Sequence, residues 1–212
     1  GINESSQLRT IKKFIELKKI KKTIFLTPDV NYKNEIKKGI SNSKIKIFKS
    51  YVYDSDPTKL TKQIEKITNY SKRKQNLEDE IVRLEKSNES NKERLIEKLS
   101  KKDTLGSVKF DSVIIADFDE SLKSVTTSLL YTDISPKEKY FITLNQWFDT
   151  SLLNETSSQP IYFPSINKKN YENFTSIYFE KFNQYPNQLS FLSFDLVGLV
   201  YYLVLKNDLI ID

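Results

Sequence analysis

The sequence predicts an α/β fold, doubly wound around a mostly parallel sheet. Two observations carry this. Short unbroken apolar runs, at Thr23–Thr27, Phe110–Ala116 and Lys139–Leu144, read as strands buried on both faces. Between them lie segments with apolar residues at helical spacing. Strands covered by crossover helices lose the alternation of a half-exposed sheet, and strand–helix alternation along the chain implies parallel pairing.

Each element follows from its local pattern. Leu8, Ile11, Phe14, Ile15 and Leu17 predict a first helix, with Ser5 or Ser6 as its cap. Thr23–Thr27 is closed by Pro28-Asp29, and a second helix is expected over Tyr32–Ile40. Ile45, Ile47, Tyr51 and Tyr53 give a strand over Lys44–Tyr53, ended by the turn Asp54–Pro57, with Asp56 leading a helix from about Thr58. From about Leu60 to Lys102 the chain is dense in Lys and Glu. Leu77, Ile81 and Leu84, then Leu95 and Leu99, keep helical spacing around a polar gap at Ser87–Asn91, and Asp79/Arg83 and Glu97/Lys101 are spaced to pair. This reads as an inserted helical hairpin turning near Asn88, or as one long helix with a polar stutter. Further on, a helix over Glu120–Tyr131, a short helix over Asp149–Leu153, a connecting strand at Ile161–Pro164 and a helix over Tyr171–Phe182 are expected. Ser190–Leu205 reads as a largely buried helix.

Composition narrows the chemistry. The chain has 212 residues, no Cys and no His. Length allows one domain, or one lobe and part of another. Disulfides, thiol catalysis, Cys-based zinc sites and every Ser-His-Asp arrangement are excluded, and no cofactor is implied. A formal charge of +6 would suit an anionic partner, but the lysines look scattered along the chain, as expected of a sequence rich in Lys and Asn and poor in Gly. The basic runs Lys18–Lys22 and Lys72–Lys74 lack interleaved aromatics, so no nucleic-acid partner is expected. The longest apolar run, Phe191–Leu205, is interrupted by Ser193, Asp195 and Gly198, so contact with a membrane is expected only through an anchor outside this segment. The polar opening and the close at Leu209–Asp212 read as an excised segment.

One constellation could carry catalysis. Ile114–Ser121, an apolar strand followed by Asp117-Phe118-Asp119, resembles the first motif of haloacid-dehalogenase-type phosphatases, with Thr143 as a possible second motif. That motif normally opens its domain, and acids after a strand also cap helices. The chain is therefore expected not to be an enzyme. The glycines form no phosphate-binding loop. Trp147, the only Trp, follows a predicted strand end, where it could stack on a ligand or anchor the core.

An ordered set of segments points to a family. Phe110–Ile115, Leu129–Asp133 and Phe141–Asp149 resemble the penicillin-binding protein activators, the LppC-type lipoproteins with a type I periplasmic-binding-protein fold, and Phe174–Tyr178, Phe182, Tyr185-Pro186 and Ser193–Val197 are similar to a signature shared by the wider fold class. Arg73, Leu77 and Asp103–Gly106 are similar to that family's charged helical insertion. The resemblance implies a periplasmic-binding-protein-like lobe over residues 1–159, with its insertion at about 70–103, and a hinge crossing plus part of a second lobe over 160–212. It implies a periplasmic protein anchored at the outer membrane, which regulates peptidoglycan synthesis by contact with a bifunctional penicillin-binding protein. The alternative within the fold class is a solute-binding protein of a branched-chain amino-acid type transporter, with a small amino-acid-like ligand. Topology places Asp29, Tyr32, Asp117, Asn145 and Trp147 at the ligand cleft, each just past a strand end.

Overall fold

The computed structural model describes residues 4–31, 33–144, 154–165 and 168–206. Helix α1 (Glu4–Leu17) leads into β1 (Thr23–Pro28), followed by α2 (Lys33–Ser43), β2 (Ile47–Tyr53) and α3 (Pro57–Thr68). Two helices outside this alternation, α4 (Tyr70–Glu85) and α5 (Lys92–Ser100), precede β3 (Ser112–Ile115), α6 (Asp119–Tyr131), β4 (Tyr140–Thr143) and β5 (Ile161–Tyr162). Helices α7 (Lys168–Phe182) and α8 (Gln188–Lys206) follow.

The five strands form one sheet in the order β2-β1-β3-β4-β5, and every neighbouring pair is parallel. The sheet is doubly wound, as expected. Ile24, Leu26, Val113, Ile115 and Phe141 face Leu60 and Ile64 of α3 and Leu122, Val125 and Leu129 of α6. On the opposite face Phe25, Ile114 and Ile142 pack with Leu8 and Ile11 of α1 and Ile40 of α2. Residues of β1 and β3 are buried throughout, so the continuous apolar runs are used on both sides. Each such side chain contributes roughly 1.5–3 kcal/mol on burial. The Ile161–Tyr162 segment, read as a connection, pairs with β4 and extends this sheet.

Helix starts obey the local signals. Asp56 caps α3, accepting from the N–H groups of Thr58 and Lys59 at 2.9 and 3.2 Å, with Pro57 opening the helix. Strand β2 starts later than the alternation suggested, because Lys44 takes a left-handed conformation (φ 56°) to end α2. A strand cannot pass through that residue.

The charged insertion is a hairpin: α4 and α5 pack on one another around a turn within 86–91. Of the expected pairs, Glu97–Lys101 forms at 2.7 Å. Asp79 instead accepts from Gln75, while Arg83 pairs with Glu80 and, across the turn, with Glu89. Arg73 locks the base of the arm. It is 7% exposed and donates to the carbonyls of Gly106, Thr132 and Asp133 and to the Thr104 hydroxyl. Thr132 and Asp133 follow α6, so the arm is tied to the amino-terminal end of the sheet, beside the entry to β4.

The expectation of a buried final helix is corrected. Helix α8 packs on α7 through aromatic rings, with Tyr171 stacked on Phe191 and Phe174 against Phe191 and Phe194. Its remaining apolar surface is exposed, with Leu196 at 61% and Val197 at 68%. Leu189–Lys206 also reaches, by length and composition, the threshold for crossing a membrane, at a mean hydropathy of 1.6 over 18 residues, despite Asp195 and Gly198. Periodicity reports that a helix is apolar, but not what covers it.

Candidate functional site

The strand order turns back on itself between β1 and β3. In open α/β sheets a ligand sits outside the carboxyl ends of the two strands at such a switch point. In this chain those ends lead to Asp29 and Asp117.

The two residues are joined through the end of β2. The Asp29 N–H donates to the Tyr53 carbonyl at 2.8 Å, and the Tyr53 hydroxyl donates to Asp117 Oδ2. Tyr53 is 1% exposed, so its ring belongs to the core while its hydroxyl reaches the Asp117 carboxylate. Asp117 is half-buried and follows Ala116, whose N–H bonds the Leu26 carbonyl at 2.9 Å. Its Oδ1 accepts from the Phe118 N–H at 2.9 Å. Burial pushes the Asp117 carboxyl above the ordinary aspartate range. The bonds from Tyr53 and Phe118 oppose that rise, and the neighbouring charge of Asp119 adds to it.

Further acids surround this pair. Asp119 (φ 49°) and Glu120 stand in the first turn of α6, and Asp54 and Asp56 follow β2. Helices leave this end of the sheet with their amino termini toward it, which favours carboxylates there. Three lysines answer them: Lys33 pairs with Asp29, Lys59 with Asp54 at 3.0 Å and Lys123 with Glu120 at 2.6 Å. Carboxylates remain in excess of these lysines at this end of the sheet. Among the described residues no three His, Cys, Asp or Glu side chains gather where they could hold a metal ion. The Asp-x-Asp segment therefore appears as one carboxylate engaged by Tyr53 and a second exposed at a helix start.

Of the residues expected at the cleft, Asp29 and Asp117 stand at the same end of the sheet, linked through Tyr53. Tyr32, Asn145 and Trp147 lie outside the described residues, as does the expected helix over Asp149–Leu153. Tyr53 was missed. It is the last residue of its strand, immediately before the Asp54 turn, and the strand-end rule used for Asp29 would have selected it. A recess of about 590 Å³ between α3 and α4, lined by residues including Lys62, Lys66 and Lys72, lies away from this crevice.

No protein-family model matches the chain, and no curated protein sequence matches it. Solved structures do. An ABC transporter substrate-binding protein from Desulfitobacterium hafniense superposes with a TM-score of 0.53 at 12% identity, over 93% of this chain and 48% of that one. A solute-binding protein of an ABC transporter from Rhodopseudomonas palustris BisB5, in complex with 3,4-dihydroxybenzoic acid, gives 0.48 at 13% identity, over 96% and 49%. An extracellular ligand-binding receptor from Verminephrobacter eiseniae gives 0.41 at 7% identity, over 68% and 31%. The chain thus spans about half or less of the length of each. The first of these likenesses shows the fold, which is periplasmic-binding-protein-like.

Proposed function

We propose that this chain is part of a non-catalytic periplasmic regulator of peptidoglycan synthesis, working by contact with a bifunctional penicillin-binding protein. The observation that carries the reading is the α4–α5 arm. It stands outside the strand–helix alternation, its outer residues are charged, and a buried arginine fixes its base to the sheet. An appendage held that firmly is suited to presenting a surface to another protein. The ordered segments that resemble the penicillin-binding protein activators support the same reading.

On this reading residues 1–159 form one lobe and 160–212 lead into a second, anchored at the outer membrane in the whole protein. The uncovered apolar face of α8 then packs against the remainder of that second lobe. The crevice at Asp29, Tyr53 and Asp117 lies between the lobes, and Tyr32, Asn145 and Trp147 complete its rim.

A specific observation favours a second reading, in which the chain belongs to a solute-binding protein. Asp117 is half-buried, held by Tyr53 and surrounded by other acids, as a site for the ammonium of an amino-acid-like ligand would be.

The test is binding of the purified chain to the periplasmic region of its host's bifunctional penicillin-binding proteins, with and without residues 70–103. Binding that is lost with the arm supports the regulator. A folded chain that ignores the synthases and binds an amino acid, with that binding lost in Asp117→Ala, establishes the solute-binding reading instead.

A further inference from the structure

The lysines that look scattered along the sequence converge in the fold. Strands β1 and β2 are parallel neighbours, so the segments that enter them lie at the same end of the sheet. Helix α1 passes to β1 through Lys18-Lys19-Ile20-Lys21-Lys22, and α2 passes to β2 through Lys44-Ile45-Lys46. Lys12, Lys19, Lys21, Lys44 and Lys46 line one recess of about 310 Å³. Ile15, Ile20 and Ile45 line it too, and the carboxylates beside the patch are Glu16 and Asp111, whose Oδ2 accepts from the Lys22 N–H at 3.0 Å. Lys18, Lys22 and Lys49 extend the patch and are exposed. The ion pairs among the described residues lie elsewhere and use none of these lysines.

Helix carboxyl termini favour cations, and α1 and α2 both end here. That accounts for some lysines but not for so many held without partners. Two more features mark the patch. Leu17 is 77% exposed and Phe48 43% exposed at this same end, with Lys22 Nζ 5.3 Å from the centre of the Phe48 ring. The cations are also all lysines. Arginine is the side chain for bidentate recognition of a defined phosphate or carboxylate, whereas lysines on flexible stems suit a diffuse anionic surface. A single exposed ring offers no stacking track for a nucleic-acid strand.

We propose that this end of the sheet docks on an anionic lipid surface, with the lysines at the headgroups and Leu17 and Phe48 entering the headgroup boundary. The crevice at Asp29 and Asp117 lies at the opposite end of the sheet, so docking leaves it facing water and keeps its acids away from the lipid. This contact needs no anchor beyond the segment, and it stands apart from the function proposed above.

Two of the lysines supply a test that does not endanger the fold. Lys19 and Lys44 hold φ values of 54° and 56°, which glycine adopts more easily. The full chain is sedimented with vesicles of phosphatidylcholine alone and of phosphatidylcholine mixed with phosphatidylglycerol. Neutral vesicles give the baseline, to which the exposed helix α8 contributes. The chain is expected to prefer the mixed vesicles. The Lys19→Gly, Lys44→Gly double variant should lose that preference by about fivefold per lysine removed. Leu17→Ser with Phe48→Ser should weaken it severalfold. Equal sedimentation with both vesicles, or a preference that survives the double glycine variant, overturns the proposal. A preference untouched by the Leu17 and Phe48 changes, together with equal retention on duplex DNA or polyglutamate, overturns the lipid assignment in favour of a general polyanion contact.

Discussion

At the carboxyl-terminal end of the sheet Asp29, Asp54 and Glu120 each hold a lysine, whereas at the amino-terminal end Lys19, Lys21, Lys44 and Lys46 hold no carboxylate among the described residues. Both ends are sorted by one cause. Helices in a parallel sheet point their amino termini at the first end and their carboxyl termini at the second, which favours acids at one and bases at the other, though Asp111 and Asp133 also stand at the second. The difference in pairing does not follow from dipoles. At the acidic end charge is organised around Tyr53 and Asp117, partly out of water. At the basic end the lysines beside β1 and β2 are left exposed, while Arg73 is buried at the base of the arm. The first arrangement suits recognition of one group in a crevice, and the second suits a broad surface.

The largest expected effect tests whether the arm belongs structurally to the basic end. Arg73→Ala removes the donor shared by the Gly106, Thr132 and Asp133 carbonyls. Stranding several buried acceptors should cost about 3 kcal/mol, read as a lower urea midpoint. A change below about 1 kcal/mol would mean that the arm is not fixed through this residue.

At the acidic end, Tyr53→Phe keeps the ring in the core and removes the hydroxyl from Asp117. The expected cost is about 1–2 kcal/mol, with the Asp117 carboxyl moving further upward in an NMR titration because one of the bonds opposing its rise is gone. No movement of that titration would separate Tyr53 from the crevice.

Asp117→Asn sharpens the same end through pH. Burial lifts the Asp117 carboxyl, so the folded chain holds this proton more tightly than the unfolded chain. The stability that the group contributes is complete below the ordinary aspartate value and is lost as pH rises through the folded value. The asparagine variant still accepts from Tyr53 and does not ionise. Its stability should therefore gain on that of the parent as pH rises from acid to neutral, measured by urea unfolding. A parallel pH dependence in the two chains would contradict the assignment.

The smallest effect lies at the basic end. Lys19→Gly relieves a left-handed residue at a helix end where the Ile20 N–H bonds the Ile15 carbonyl at 3.0 Å. It should raise stability by roughly 0.5–1 kcal/mol, seen as a higher melting temperature. A loss would show that the lysine side chain supports the fold.

Most of the sheet was legible in the sequence, because Thr23–Thr27 and Phe110–Ala116 are too continuously apolar for a half-exposed strand. The hairpin was legible as one of two options, and the polar run at Ser87–Asn91 decides it by breaking the helix. The positions of Asp29 and Asp117 just past their strands were legible from the apolar runs that precede them. Tyr53 ends its strand and was open to the same reading, but its bond to Asp117, 64 positions away, was not legible. The lysine patch was hidden for the same reason: its two segments are brought together only by the pairing of β1 with β2. The exposure of α8 was misread because burial belongs to the surroundings of a helix, and its own sequence does not contain them.

The most direct test of the account is hydrogen–deuterium exchange on the chain, alone and with the periplasmic region of the host's bifunctional penicillin-binding protein. The account predicts slowed exchange along Tyr70–Ser100, with peptides covering Asp29, Tyr53 and Asp117 unchanged. Protection of those crevice peptides without protection of the arm, or no protection anywhere, would contradict it.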